Sequence, residues 1–349
     1  MLKILLAPFA FLYGIAVYVR NFLFDTNILK STSFEKSVIC IGNLTVGGTG
    51  KTPHTEYLIK HLEQEYKIAT LSRGYKRKTR GFIIADKNSS ATQIGDEPFQ
   101  MFSKFPNITV SVDENRVRGI NNLINLHPVI DIILLDDAFQ HRYVKPGLSI
   151  LLIDYNNLVT RDFFLPAGTL RDSVTQLKRA DLVIITKCPK KLESIEIQGI
   201  KKELKLNPNQ NLYFTKLKYG ELKPVFDNII DSVDQSKELA VFAIAGIANP
   251  KPFIAHLESR FVIKNTVILR DHYHFTEKKI RAIFDSFSQI HAEKKVIVTT
   301  EKDASRLKSL GDLPDVIKRF FYYIPIEVEF LDGLEKEFND KIYSYVRKS

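Results

Sequence analysis

The chain has little cysteine: Cys40 and Cys188 are the two in 349 residues. They stand far apart, with neither metal-ligand spacing nor a framework of bridges, which excludes a zinc-organised or disulfide-stapled fold. Cys40 lies in an apolar, strand-like run, so a reduced, buried thiol in a cytoplasmic protein is the expectation. Internal repeats and low-complexity tracts are absent, as is any RNP, zinc-finger or comparable nucleic-acid motif. The uncharged run Ile4–Val19 has 16 residues, fewer than the roughly 20 a helix needs to cross a bilayer. It is not followed by a small-residue cleavage site of the kind a signal peptide carries.

What is present suits a folded protein of about two domains: 44% hydrophobic residues and enough length to bury real cores. Lys and Arg number 50 against 40 Asp and Glu, a formal net charge of +10. That balance favours anionic partners, whether nucleotide, nucleic acid or acidic membrane, without choosing among them. The N-terminal run is bounded by Lys3 and Arg20, with Phe22, Leu23 and Phe24 just beyond. It reads either as a core helix or as an interfacial helix dipping into a membrane. Its aromatic residues and flanking cations favour the second.

The most informative stretch is Gly42–Pro53, GNLTVGGTGKTP, which follows the apolar run Ser37–Ile41 and opens a predicted helix. Residues Thr45, Val46, Gly47, Gly48, Thr49 and Gly50 can curl so that successive N–H groups face one concavity, a nest for phosphate at a helix N-terminus. Lys51 is placed to reach the β and γ phosphates, and the Thr52 hydroxyl to hold Mg²⁺. The Walker A pattern has glycine where this chain has Thr45. Val46 stands where the deviant loop of membrane-cycling ATPases has lysine. A guanine-reading Asn-Lys-x-Asp motif is missing; the nearest segment, Thr186-Lys187-Cys188-Pro189, lacks the aspartate.

Buried strands alternate with helices from there on. Strands are predicted at Lys67–Leu71, Phe82–Ala85, Ile108–Val112, Val129–Leu135, Leu148–Ile153 and Leu182–Ile185, with helices from about Asp96 and over Glu114–Asn125. The expected fold is therefore α/β, a P-loop NTPase-type, mostly parallel sheet with helices on both faces. Near Asn211–Leu217 the pattern turns alternating and aromatic, and a smaller C-terminal α/β set follows. Phe320–Val328 alternates too, and pairing with Asn211–Leu217 would make a two-stranded connector. The predicted division is an N-terminal membrane-associated helix over 1–28, a P-loop kinase-type domain over 29–210, the smaller α/β domain over 211–330, and a terminal helix over 331–349 packing back on the first domain.

Ligands of such sheets bind beyond the carboxyl ends of the strands. Ile132–Asp137 is an apolar strand ending in two acids, as in Walker B, and Asp136 and Asp137 would order Mg²⁺ beside Thr52. Gly95-Asp96-Glu97-Pro98 sets two carboxylates at a helix start, and Asp271-His272 follows a strand of the second set, where the pair could tune a catalytic base.

Nine segments together resemble a known family: GNLTVGGTGKTP, LSRGY (Leu71–Tyr75), GDEP (Gly95–Pro98), DENR (Asp113–Arg116), LLDDAFQHR (Leu134–Arg142), LPAGTLRD (Leu165–Asp172), GIANP (Gly246–Pro250), RDHYHF (Arg270–Phe275) and TTEKDA (Thr299–Ala304). The chain is similar over nearly its whole length to the tetraacyldisaccharide 4′-kinases, the lipid A 4′-kinases of Gram-negative bacteria. LPAGTLR and DDxxQH are the most specific of these motifs; Ala138 replaces the family's usual glycine. The resemblance implies a kinase of the cytoplasmic face of the inner membrane. It would use ATP and Mg²⁺ to phosphorylate the 4′-hydroxyl of a tetraacylated glucosamine disaccharide 1-phosphate, giving lipid IVA. It implies Lys51 in catalysis, Asp96 as base with His272 as its partner, and Thr52, Glu97, Asp136 and Asp137 around the metal. Arg73, Arg116, Gln140 and Arg171 would face the lipid phosphate or the nucleotide. The implied partners are the acylated disaccharide and the membrane surface, with no nucleic acid. Two other classes share the same loop: a non-enzymatic nucleotide switch at the membrane, and a soluble small-molecule kinase whose apolar N-terminus is core.

Overall fold

The computed structural model describes residues 2–226, 235–310 and 313–348. Helix α1 (Leu2–Asp25) leads to β1 (Ser37–Asn43), the glycine-rich loop and α2 (Lys51–Leu62). Next come β2 (Ile68–Ser72), the short β3 (Ile83–Ile84), α3 (Ala91–Ile94), α4 (Asp96–Lys104), β4 (Thr109–Val112), α5 (Arg116–Leu126), β5 (Ile132–Asp136), β6 (Leu148–Asp154), β7 (Leu182–Thr186), α6 (Ser194–Leu204) and β8 (Asn211–Tyr219). The second set is β9 (Lys223–Pro224), β10 (Ala240–Ala245), α7 (Lys251–Arg260), β11 (Val262–Ile268), α8 (Glu277–Ser288), β12 (Lys295–Thr300), α9 (Glu301–Lys308), α10 (Asp315–Lys318), β13 (Phe321–Ile324), β14 (Ile326–Phe330) and α11 (Glu335–Val346).

The strands form a nine-stranded sheet, β14-β8-β7-β6-β1-β5-β2-β4-β3, and a five-stranded sheet, β11-β10-β12-β13-β9. The interior of each is parallel; β14, β3 and β9 add antiparallel edges. All seven residues of β1 are buried, as a strand covered on both faces requires. Val38 and Cys40 pack into one core with Leu71, Ile133 and Leu151. Ile39 and Ile41 pack into another with Tyr57, Ile59 and Leu134. The smaller sheet repeats the scheme. Helix α8 turns Ile280, Ile283 and Phe287 to its core and is capped by Thr276, whose side chain accepts from the Lys279 amide.

Three sequence expectations change. Phe320–Val328, read as one alternating strand, is two strands in different sheets, broken at Pro325, which has no N–H to continue a ladder. Its second half, β14, does pair antiparallel with β8. But β8 also pairs in parallel with β7, so the two crossing strands form an edge of the large sheet. Alternation shows that a strand has one buried face, not which sheet it joins.

The N-terminal helix is also longer than its apolar run. It has 24 residues, and Lys3–Asp25 is long and apolar enough to cross a membrane by length and composition. Arg20 does not end it, because the guanidinium donates to the Gln140 carbonyl (2.7 Å). Asn21 donates to Asp172 (2.7 Å), Tyr13 to the Arg171 carbonyl (3.0 Å), and Asp25 pairs with Arg142 (2.6 Å) and Lys178 (3.2 Å). Ala10 and Phe24 are buried, whereas Ile4, Leu5, Phe9, Leu12, Ile15, Val19 and Phe22 are exposed. At the other end of the chain, α11 sets Phe338, Ile342 and Val346 against Ile39 and Tyr57 of the large sheet's core.

Candidate active site

The glycine-rich loop and the Asp136-Asp137 pair leave neighbouring strands, since β1 and β5 are hydrogen-bonded neighbours. Gly47 and Gly50 have φ of 104° and 86°, which lets the loop curl back before α2. Nothing lies within 4 Å of where a Cβ of Gly47 or Gly48 would stand, so the loop borders open space. Its shape is held from outside. The Thr186 hydroxyl donates to the Thr49 carbonyl (2.8 Å), and the Val46 amide to the Thr169 carbonyl (2.7 Å). His54 Nδ1 donates to the Gly50 carbonyl (2.7 Å), while its Nε2 accepts from the Thr215 hydroxyl (3.0 Å). Burial pushes His54 down to about 4, so the ring is neutral. No acidic residue stands in the first turn of α2, and the buried Thr49 Oγ1 has no partner among the described residues. These features fit a phosphate group.

Lys51 reaches Asn43 Oδ1 (3.2 Å) and lies 3.6 Å from Asp137. Thr52, half-buried, is in the first turn of α2. Asp137 also pairs with Arg171 (2.6 Å); burial raises its carboxyl, but Lys51 and Arg171 outweigh that and lower it. Asp136 is 5% exposed and, among the described residues, accepts only from the Thr55 hydroxyl (3.2 Å). Burial, with repulsion from Asp137 and Glu97 against the pull of Lys51, pushes it up to about 7. A buried carboxylate with no cation in contact among the described residues, beside a threonine-bearing helix start, fits one protein ligand of Mg²⁺, which takes few protein ligands beside phosphates and water. Among the described residues no group of three or more His, Cys, Asp or Glu could hold a metal ion unaided. Glu97 pairs with Lys302 (2.8 Å).

Of the four positions expected to face an anion, Arg73 is exposed and has no ion pair among the described residues. Arg116 is 3% exposed; its Nη1 donates to the Asp113 carbonyl (3.0 Å), while its Nε has no partner among the described residues, and burial pushes it down to about 10, although Asp137 and Asp136 oppose this. The other two are tied to the loop and the acid pair. Gln140 donates to the Asn43 carbonyl, and Arg171 holds both Asn43 and Asp137.

Asp96, at the start of α4, faces the second sheet. His272 Nδ1 lies 2.6 Å from Asp96 Oδ2, and Arg306 of α9 places Nη2 at 2.8 Å and Nε at 2.9 Å from the same oxygen. Burial raises Asp96, but the hydrogen bond from His272 and then the Arg306 charge outweigh it and hold the carboxyl at about 2. Gly74 of LSRGY and Gly95 cross so closely that a Cβ on Gly95 would meet Gly74 backbone at 3.1 Å. That crossing sets the Tyr75 ring edge-on to His272 (5.7 Å). The structure thus joins the glycine-rich loop to Asp136 and Asp137, and Asp96 to His272.

The chain matches the tetraacyldisaccharide-1-P 4′-kinase family over residues 2–346. It belongs to that family. Relatives named tetraacyldisaccharide 4′-kinase include one from Bacteroides thetaiotaomicron, 49% identical over 99% of this chain and 93% of its own length. Another, from Flavobacterium psychrophilum, is 47% identical over 99% and 97%. A crystal structure of LpxK from Aquifex aeolicus in complex with ATP superposes with a TM-score of 0.77 at 27% identity, covering 99% of this chain and all of that one. Sequence reasoning missed Arg306, Lys302 and Asn43. Lys302 is inside TTEKDA and Arg306 two residues past it, so the motif marked the place without revealing what it meets.

Proposed function

We propose that the chain transfers the γ-phosphoryl group of ATP to the 4′-hydroxyl of a tetraacylated glucosamine disaccharide 1-phosphate, giving lipid IVA. The observation that carries this reading is that Lys51 of the phosphate loop meets Asp137, Glu97 acts on the neighbouring Asp136, and Asp96, next to Glu97, is gripped by His272 and Arg306 of the other sheet. In the reaction the O4′–P bond forms as the bond from the γ-phosphorus to the β–γ bridging oxygen breaks. The electron pair leaves with ADP, and the hydroxyl proton passes to Asp96. Such a transfer needs in-line positioning and charge neutralisation more than covalent chemistry. The loop amides of residues 45–50 and Lys51 bind the phosphates. Thr52 and Asp136, with Asp137 and Glu97 beside them, would hold the Mg²⁺ that accompanies ATP; when bound it neutralises phosphate charge. Arg73 and Arg116 are cations available to the acceptor's phosphate or the nucleotide, while Arg171 and Gln140 brace the loop through Asn43.

The docking of α1 supports a protein resting in one leaflet. From Ala10 to Asp25 the helix lies along the protein, leaving residues 3–9 largely exposed. That is about 10 Å of helix, against a hydrocarbon core of about 30 Å. Its exposed apolar face would seat the cleft among the headgroups on the cytoplasmic side, where ATP is found.

The test is label transfer from γ-labelled ATP to the tetraacylated disaccharide 1-phosphate in detergent micelles. Label is expected in a chloroform-soluble glycolipid. Asp96→Asn is expected to lower kcat by about 10²–10⁴-fold while ATP affinity stays within about threefold. Label released only as free phosphate by the unaltered protein would favour a nucleotide switch and end this reading.

A further inference from the structure

GIANP and TTEKDA have no role in the reaction as described, yet the structure brings them to one point. Asp303 of TTEKDA is fully buried. Its Oδ2 accepts from the Gly246 amide and the Thr300 hydroxyl, both at 2.8 Å. Its Oδ1 accepts from Arg306 Nη1 (2.6 Å), which also donates to the Gly246 carbonyl (2.9 Å). A Cβ on Gly246 would come within 3.0 Å of Asp303 Oδ1, so a side chain there would push against the carboxylate. The two motifs therefore build a socket for one edge of the guanidinium of Arg306, a residue 6% exposed.

The other edge meets Asp96. Nε, Nη2 and His272 Nδ1 all converge on Oδ2, at 2.9, 2.8 and 2.6 Å. Nη2 and Nδ1 lie 3.3 Å apart; with Nδ1 protonated both are donors, each aimed at the oxygen between them. No donor among the described residues reaches Oδ1. A carboxylate at a cleft can swing about its terminal torsion; here one oxygen is filled and the plane is pinned from a rigid socket.

We infer that Arg306 is a positioning residue for the transfer, holding Asp96 by Oδ2 so that Oδ1 is the oxygen presented to the acceptor hydroxyl. This rests on the reading of Asp96 as the base. Asp96 comes from the large sheet's side and Arg306 from the smaller one's, so the base is oriented only while the two abut. A lysine ammonium is a point charge and cannot fill the socket and grip Asp96 together.

The experiment compares kcat and KM for ATP in Arg306→Met, Arg306→Lys, Asp96→Asn and the double variant Asp96→Asn/Arg306→Met. Lys104→Met serves as a control that breaks another contact between the two sheets' helices, Lys104 to Glu301 (2.6 Å), without touching Asp96. Arg306→Met is expected to lose about 30- to 300-fold in kcat with KM for ATP within about threefold, since it removes orientation and not nucleotide contacts. Arg306→Lys is expected to lose about tenfold, and Arg306→Met to add less than about threefold in the Asp96→Asn background. Lys104→Met is expected to keep kcat within about threefold. Equal losses in Arg306→Met and Lys104→Met would make Arg306 mere glue and overturn the inference. Wild-type kcat in Arg306→Met with an inactive Asp96→Asn would overturn it while sparing the base; an active Asp96→Asn would remove the base itself. Should Arg306→Met not fold, Arg306→Lys decides, wild-type kcat there being the refuting result.

Discussion

Replacing Lys104 with methionine keeps the volume and removes the charge at the junction of three helices. The Lys104 ammonium lies 2.6 Å from Glu56 of α2 and 2.6 Å from Glu301 of α9, and Gln100 donates to the other Glu56 oxygen (2.7 Å). The two carboxylate residues are 5% and 8% exposed, whereas the lysine side chain is 33% exposed. Burial lowers Lys104, but the two acids outweigh it and raise it, so the ammonium is charged. Removing one partner of a buried pair costs about 3–5 kcal/mol; the partial exposure of Lys104 brings this to about 2 kcal/mol. Glu56 limits the loss further. Burial pushes it up to about 7 from 4.5 despite Lys104, and without the cation it rises more. A carboxyl raised in the folded state binds a proton that the unfolded chain releases, so stability falls as pH climbs through the folded value. The expected outcome is a loss of about 2 kcal/mol at pH 8 that shrinks toward pH 6, read by urea unfolding with circular dichroism. Adding Glu56→Gln should restore at least half of it. A loss below about 0.5 kcal/mol at pH 8, or one indifferent to pH, would refute the reasoning.

Two more outcomes follow from named groups. Changing Phe9, Leu12 and Ile15 to serine should leave the fold intact and cut binding to anionic vesicles at least about tenfold, each buried apolar side chain being worth about 1.5–3 kcal/mol. Unchanged flotation would contradict the membrane role of α1. His54 and His141 are both pushed down to about 4, chiefly by burial, from 6.5. The unfolded chain then binds more protons, so stability should be lost as pH falls from 6.5 to 4. The loss is up to about 3 kcal/mol for fully buried His54, and His54→Gln should roughly halve the slope. An unaltered slope in that variant would exclude His54 as a source.

The parts of the site legible in the sequence are those encoded over a few neighbouring positions. A glycine-rich turn before Lys51-Thr52 and the apolar run into Asp136-Asp137 each carry chemistry in their own spacing, and the α/β pattern gives the parallel sheet, though not that β1 and β5 are neighbours in it. The uncharged run stops at Val19, yet α1 continues to Asp25, within the 1–28 expected for it; the partner that accommodates Arg20, the Gln140 carbonyl, lies 120 residues away. The splitting of Phe320–Val328 turned on Pro325, whose meaning depends on which sheet each half joins.

The sequence by itself determined the α/β class, the phosphate loop and the acids that face it, because strand burial, glycine curvature and helix starts are local properties. The resemblance pointed to His272 as the partner of Asp96, but tertiary structure alone decided that Arg306 holds the same oxygen and that Lys302 holds Glu97. His272 and Arg306 meet Asp96 across 176 and 210 residues of chain, and Lys302 meets Glu97 across a similar gap. No local pattern encodes such a meeting, since it exists only once the helices α4 and α9 of two separately cored sheets have been brought together.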